Sequence, residues 1–199
     1  PLVLYAMFQL KFAIITPALI TGSFAERVKF SSYLLFICLF IVFIYAPLAH
    51  MTWHPQGLLR NWGILDFAGG TVVHMSAGFA ALAGAMFLGR RSILSDHNHS
   101  HEPSNIPRVI IGTGLLWFGW YGFNAGSALA ANGTAAMALA TTNTAAASAM
   151  LTWLFLDNLR GNKASAMGGC IGAVVGLVAI TPACGFVNVG QALFIGFVA

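Results

Sequence analysis

Charged side chains are scarce in this chain of 199 residues. Asp, Glu, Lys and Arg make up 7% of the sequence, whereas about 25% is usual in soluble domains. Hydrophobic residues make up 58%, and the mean hydropathy is +0.82. This composition excludes a soluble domain. It predicts an all-α polytopic membrane protein, with residues 1–199 forming one transmembrane domain.

Cysteine is scarce as well, and the motifs of common enzyme sites are missing. Cys38, Cys170 and Cys184 form no C-x-x-C pair and show no metal-ligand spacing. The sequence also lacks the H-E-x-x-H and G-x-S-x-G motifs. An intramembrane hydrolase that pairs Asp66 with His74 is disfavoured, because eight residues of helix would separate them by about 12 Å. We therefore expect no enzyme, no metal and no cofactor.

The hydrophobic residues fall into seven candidate membrane spans. A run of about 20 apolar residues crosses a bilayer as a helix. The spans are 2–23, 30–49, 67–89, 108–130, 135–156, 165–181 and 187–199. The sequence begins at an apolar Pro1 and stops in mid-run, so we expect a piece of a longer protein, in which no signal peptide can be judged.

Basic residues are concentrated in alternate loops. Seven of the nine lie in the loops 24–29, 90–108 and 157–164, and the opposite loops carry only Arg60. Because Lys and Arg favour cytoplasmic loops, we expect a multi-pass plasma-membrane protein with these three loops cytoplasmic and the residue 1 end outside. The net charge of +4 then reflects topology and gives no sign of nucleic-acid binding. The remaining basic residue, Lys11, lies within the first span, where it either snorkels outward or faces a polar cavity.

The chain is organised around residues 66–91. This stretch begins at Asp66, a favourable helix N-cap, and His74 is the single ionisable side chain between Asp66 and the two arginines at its end. Small residues recur on two faces of the predicted helix, and one of these rows contains Ser76, Ala80 and Gly84. Because small residues let helices approach closely in lipid, we expect this helix inside a bundle. A polar side chain at that depth indicates function; the alternative is a structural histidine bonded to a neighbouring helix.

Three later spans also differ from plain lipid-facing helices. The fourth carries Trp117, Trp120 and Phe123 at every third position, for which an interfacial belt or core packing is the alternative to a functional role. The fifth is almost entirely small and hydroxylated, and in the sixth glycine recurs at every fourth position over 168–176. Both patterns predict tight helix packing.

The segment DHNHSH at 96–101 contains three alternating histidines, His97, His99 and His101. Three histidines can bind zinc or nickel. No hydrophobic frame fixes their geometry, however, so we expect a solvated loop, with adventitious metal binding as the alternative.

Five segments together resemble the ammonium transporter family, which includes the methylammonium permeases and the Rhesus glycoproteins. They are FAIITPALITGSFAERVKF (12–30), APLAHMTW (46–53), DFAGGTVVHMSAG (66–78), GWYGFNAGSA (119–128) and TPACGFVNVG (181–190). Their order and spacing are similar to those of the bacterial members of this family, and the segments cover nearly the whole chain. The resemblance implies the ammonium-transporter fold, an inverted repeat of eleven helices with one pore per subunit, of which this chain would supply about seven, the third to the ninth.

The resemblance implies a vestibule and a gate. By resemblance, Phe12, Trp53 and Ser127 match an outer site that holds an ammonium ion. The chemistry suits that task, since ring faces attract cations and a hydroxyl accepts an N–H. Phe12 and Phe123 match a stacked pair of phenyl rings that closes the pore below this site, and Trp120 matches a residue of the pore wall.

The resemblance also implies a histidine-lined pore. His74 matches the first of two hydrogen-bonded histidines; the second would lie beyond Ala199. Asp66 matches a buried acid that acts through its field and helix capping, and a plain N-cap is the alternative. The substrate would be ammonium or ammonia, with methylammonium as an analogue, carried by a homotrimer that has a PII-type signalling protein as a partner at the cytoplasmic face.

Two functional alternatives remain open on the same scaffold. One is an ammonium sensor that signals through a cytoplasmic tail beyond Ala199. The other is a Rhesus-type gas channel, which is disfavoured because Trp53 and the pair of Phe12 and Phe123 match the version that recruits ammonium.

Overall fold

The structure, a computed structural model, describes residues 2–90 and 105–199. Every regular element in these ranges is helical, which confirms the all-α class. The α-helices are α1 (Leu2–Phe24), α2 (Phe30–Phe40), α3 (Ala46–Trp53), α4 (Leu58–Asn61), α5 (Ser76–Leu88), α6 (Ile106–Gly126), α7 (Gly133–Leu159), α8 (Ala166–Ile180) and α9 (Val189–Val198). Two π-helical segments, Ile41–Tyr45 and Gly70–Met75, precede α3 and α5.

The chain divides into two compact units. The N-terminal unit contains α1 to α4 and the chain from Thr71 through α5, and the C-terminal unit contains Asp66–Gly70 and α6 to α9. Within residues 2–90 and 105–199, three helical stretches are long and apolar enough to cross a membrane, namely Leu2–Phe24, Phe30–Asn61 and Gly70–Leu88. The histidines of the segment 96–101 lie outside the described residues.

Two predicted span boundaries are wrong. The second span was expected to end at 49, but helix continues to Trp53, with a π-helical turn immediately before Pro47. Proline donates no backbone hydrogen bond, and its ring crowds the carbonyl one turn earlier in a regular α-helix. A wider turn leaves room for that ring, so the proline does not end the helix here. The fourth span was expected to reach 130, but α6 ends at Gly126 in a series of tight turns, and Leu129 has a left-handed backbone with φ of 55°.

In the N-terminal unit, α5 packs closely on α1 through its small residues. The Ser23 hydroxyl donates a hydrogen bond to the Ala81 carbonyl at 3.0 Å. A Cβ atom on Gly84 would lie 2.5 Å from Cζ of Phe24, so a larger residue at this position would require the phenyl ring to move. The small-residue row through Gly84 therefore packs against a helix, as predicted.

In the C-terminal unit, α7 packs against α6, α8 and α9. Its buried side chains are all small: Ala138, Thr141, Thr142, Ala145, Ala146 and Ala149. A Cβ on Gly172 of α8 would lie 2.9 Å from the Ala149 carbonyl oxygen, and one on Gly176 would lie 2.5 Å from that of Ala145. Backbone meets backbone at this contact, which confirms the tight packing predicted for the fifth and sixth spans.

Candidate functional site

An aromatic cluster lies in the N-terminal unit, where α1 and the end of α3 meet. The ring of Phe12 packs edge-on against Trp53, with centroids 5.6 Å apart and an interplanar angle of 72°. Phe8, one helical turn earlier, packs edge-on against Phe12, with ring centroids 4.8 Å apart. Phe12 is 2% exposed, whereas Trp53 is partly exposed. The structure therefore brings together two of the three predicted vestibule residues.

His74 lies in the π-helical segment Gly70–Met75, in the N-terminal unit, and is partly buried. Val72 and Val73 beside it are fully buried. Both are branched at Cβ, so each has few χ1 rotamers of its own. The Ser76 hydroxyl donates to the carbonyls of Val72 at 2.6 Å and Val73 at 3.1 Å. Ser76 thus supplies hydrogen bonds to the wider turn that carries the imidazole.

Asp66 lies in the C-terminal unit, four residues before the π-helical segment begins at Gly70, and is 8% exposed. Its Oδ1 accepts hydrogen bonds from the backbone N–H groups of Gly69 and Gly70, both at 2.7 Å. These charge-assisted bonds order the turn that leads into the π-helical segment. A carboxylate in this position also sets a negative field at the segment's N-terminus.

The remaining predicted site residues lie in the C-terminal unit, on and just after α6. The rings of Trp120 and Phe123 are 5.2 Å apart at an angle of 34°. The Ser127 hydroxyl donates to the Phe123 carbonyl at 2.8 Å, so both lone pairs of its oxygen remain available to accept an N–H. Trp120 is 2% exposed, and its indole N–H donates to the Thr181 hydroxyl at 2.9 Å.

Sequence reasoning did not assign roles to Thr181, Asn124 or Thr142. Thr181 in turn donates to the Leu177 carbonyl at 2.7 Å, which fixes it as an acceptor for Trp120. Asn124 is fully buried, and its amide donates to Thr142 at 2.8 Å. Asn124 and Thr181 each follow an apolar run, and Thr142 lies among other polar residues of its span, so their placement in the spans was the only signal in the sequence.

The bond between Trp120 and Thr181 gives a first prediction. Thr181→Val keeps the shape of the side chain but removes the acceptor from a buried indole N–H, so we expect the free energy of unfolding to fall by about 1–3 kcal/mol. Thr144→Val is the matched control, because the Thr144 hydroxyl bonds the Ala140 carbonyl one turn back in its own helix. Unfolding of the detergent-solubilised full-length protein measures both. If the two variants lost the same free energy of unfolding, the buried hydrogen bond from Trp120 to Thr181 would be contradicted.

The predicted gate and pore combine residues of both units. Phe12, Trp53 and His74 belong to the N-terminal unit, and Trp120, Phe123 and Ser127 belong to the C-terminal unit. The pairing of Phe12 with Phe123 therefore stays a prediction. Among the described residues, no group of three or more His, Cys, Asp or Glu side chains could hold a metal ion.

These features define a class of protein: helical, with stretches apolar enough to cross a membrane, and with a partly buried histidine and packed aromatic rings among its helices. A model of the family described as "Ammonium Transporter Family" matches residues 1–199. An ammonium transporter of Aquifex aeolicus is 53% identical over 199 residues, which is 100% of this chain and 46% of that protein. The chain belongs to the ammonium transporter family.

Solved structures confirm the fold. The crystal structure of Candida albicans Mep2 matches with a TM-score of 0.93 at 40% identity, over 100% of this chain and 44% of that one. A structure named "Sensor Amt Protein" matches with a TM-score of 0.88 at 33% identity, over 96% of this chain and 49% of that one. The chain thus spans about half the length of the relatives it matches.

Proposed function

We propose that the full-length protein transports ammonium across the membrane. It would recruit ammonium at an outer vestibule of Phe12, Trp53 and Ser127, deprotonate it, and conduct ammonia through an apolar pore at His74. Membership of the family and relatives named as ammonium transporters support this proposal. The observation that carries it is the packing of Phe12 against Trp53, with Trp53 partly exposed.

The chemistry of the vestibule suits a small cation with N–H donors. The face of a tryptophan ring attracts a cation through its quadrupole. The Ser127 oxygen, which donates its own proton to Phe123, can accept an N–H from the ion. Potassium has a similar size and charge but no N–H donor, so a hydrogen-bond acceptor separates the two ions where charge alone does not.

The apolar pore then selects for the neutral form. A bare ion loses its hydration in such a tube, which costs many kcal/mol unless charges compensate. Ammonium can leave its proton at the entrance and cross as ammonia, whereas potassium has no proton to leave. His74 would exchange hydrogen bonds with ammonia or relay the proton. Phe12 and Phe123 would gate this path, Trp120 would line it, and Asp66 would act on it through its field.

An ammonium sensor is the second candidate, because one of the matching structures is named a sensor. A sensor would bind ammonium at the same vestibule and pass the signal to a cytoplasmic partner.

We propose a homotrimer in the plasma membrane, with the loops 24–29, 90–108 and 157–164 cytoplasmic and a PII-type protein as a partner. The relatives named as transporters agree with a protein that is not an enzyme.

Transport of radiolabelled methylammonium tests the proposal directly. Cells without their own ammonium transporters would express the full-length protein, and uptake would be measured with and without competing ammonium. We expect saturable uptake that ammonium suppresses and potassium does not. Saturable binding of methylammonium to purified protein without uptake would favour the sensor, and neither binding nor uptake would contradict both candidates.

The vestibule gives a second prediction. Trp53→Leu keeps apolar bulk against Phe12 but removes the indole face, so we expect the ammonium concentration for half-maximal transport to rise about 2- to 30-fold, as loss of a cation–π contact worth about 0.5–2 kcal/mol requires. The matched control is Trp62→Leu, at a tryptophan that is 70% exposed in the same unit. If both variants kept the parent's concentration dependence, Trp53 would not belong to the vestibule.

A further inference from the structure

Two exposed histidines lie one helical turn apart in the N-terminal unit. His50 is in the last turn of α3, and His54 follows the helix, with its backbone N–H donating to the His50 carbonyl at 3.1 Å. His54 has an extended backbone, with φ of −68° and ψ of 140°. Its ring nevertheless lies on the same side of the chain as that of His50, because the two rings are in contact. Their rings are stacked, with centroids 4.4 Å apart and planes 15° apart. This arrangement has no part in the proposed transport path.

We propose that His50 and His54 form a binding site for a divalent transition-metal ion, with Cu²⁺ bound more tightly than Ni²⁺ or Zn²⁺. Imidazole nitrogens are favourable ligands for all three ions, and affinity generally peaks at Cu²⁺. The H-x-x-x-H spacing is also found among the paired histidine ligands of zinc sites.

The separation of the rings fits shared coordination. With metal–nitrogen bonds of about 2.0–2.1 Å and a ring nitrogen about 1.1 Å from the ring centre, two imidazoles at adjacent positions of one metal have centres roughly 4.4 Å apart. The observed centroid distance is 4.4 Å. The stacked rings must still turn until their lone pairs converge. That turn is about the bond between Cβ and Cγ, a torsion with a broad energy profile, in two side chains that face solvent.

The neighbouring groups make this an open site of modest affinity. Nδ1 of His54 accepts a hydrogen bond from the Gln56 backbone N–H at 3.1 Å, and a metal competes with this bond for the ring. No third His, Cys, Asp or Glu completes a metal cluster within the described part of the chain, so water fills the other positions. The site therefore suits reversible binding of a metal from the surrounding solution and does not suit a structural metal.

Electron paramagnetic resonance with Cu²⁺ alone tests the site. The sample is the full-length protein, purified with a tag that contains no histidine and with His97, His99 and His101 replaced by Asn to remove their competing imidazoles. We expect the first equivalent of Cu²⁺ to show hyperfine coupling to two imidazole nitrogens. In His50→Gln and His54→Gln we expect one nitrogen at most and binding weakened at least about tenfold, because the second ligand acts intramolecularly. Arg60→Gln, on an exposed residue of α4, is the control and should keep the parent's spectrum.

A second measurement needs no substitution of either histidine. One equivalent of Cu²⁺ should slow the modification of His50 and His54 by diethyl pyrocarbonate together, as read by mass spectrometry. Protection of one ring without the other would overturn the proposal. The proposal would also be overturned if the parent protein and the His50→Gln/His54→Gln double variant showed the same Cu²⁺ spectrum and the same affinity for Cu²⁺. Both measurements use no ammonium, so their failure is distinct from failure of the proposed transport.

Discussion

Replacing His74 by Asp should convert the proposed ammonium-selective path into one that admits potassium. A fixed carboxylate in the pore compensates the desolvation of a bare cation, which the imidazole does not. Two opposite unit charges about 4 Å apart attract by about 4 kcal/mol at an effective dielectric constant of about 20, well above the roughly 1.4 kcal/mol needed for a tenfold change. We therefore expect the permeability to potassium relative to ammonium to rise at least about tenfold. Recordings of current in ammonium and in potassium solutions measure this ratio.

His74→Gln is the matched control for charge. The amide is polar and of similar reach but carries no charge, so it should lower ammonium flux without admitting potassium. If His74→Asp reached the membrane at the parent's level and kept its ion preference, His74 would not line the selective part of the pore.

A large effect on stability is expected at the contact between α7 and α8. A methyl group added in Gly176→Ala would lie 2.5 Å from the Ala145 carbonyl oxygen and 2.8 Å from Cα of Ala146. Both obstacles are backbone atoms, so no side chain can turn aside and the two helices must separate. Overpacking of this kind costs about 1–3 kcal/mol and occasionally more, and we expect the upper end of that range. Unfolding of the full-length protein in detergent measures the loss.

Gly169→Ala, on the same helix, should not lower the free energy of unfolding. The added methyl group would meet only the Leu154 side chain, at 3.6 Å or more, which is ordinary contact. Alanine is also a better helix former than glycine by about 0.8–1.0 kcal/mol, so the variant should be as stable as the parent or slightly more so. If Gly169→Ala and Gly176→Ala lowered the free energy of unfolding equally, the contact of Gly176 with α7 would not be a tight one.

The small-residue patterns were the most reliable structural signals in the sequence. The glycines at 168–176 and the alanines and threonines of the fifth span predicted a close helix contact, and α7 and α8 form it. The signal is strong because lipid gives helices little other reason to associate than close packing. The sequence located the site residues less completely: it identified Trp120 as a candidate but not Thr181, which lies 61 residues further along the chain.

The end of the second span shows where hydropathy misleads. The polar residues after 49 indicated a loop, yet helix continues through His50 to Trp53. A helix that leaves the apolar layer keeps its backbone hydrogen bonds, so its end is set by caps and turns, whereas hydropathy reports only the side chains. The stacked histidines follow from this extension, because a loop would not have held them one turn apart.

The sequence by itself determined the class of this protein, most of its helices, its family and the residues to examine. These depend on composition, on local periodicity and on motifs, all of which can be read along the chain. Tertiary structure decided which groups meet: Trp53 with Phe12, Trp120 with Thr181, and the glycines of α8 with the backbone of α7. Such partners are set by how the helices pack on one another, and no local pattern specifies them.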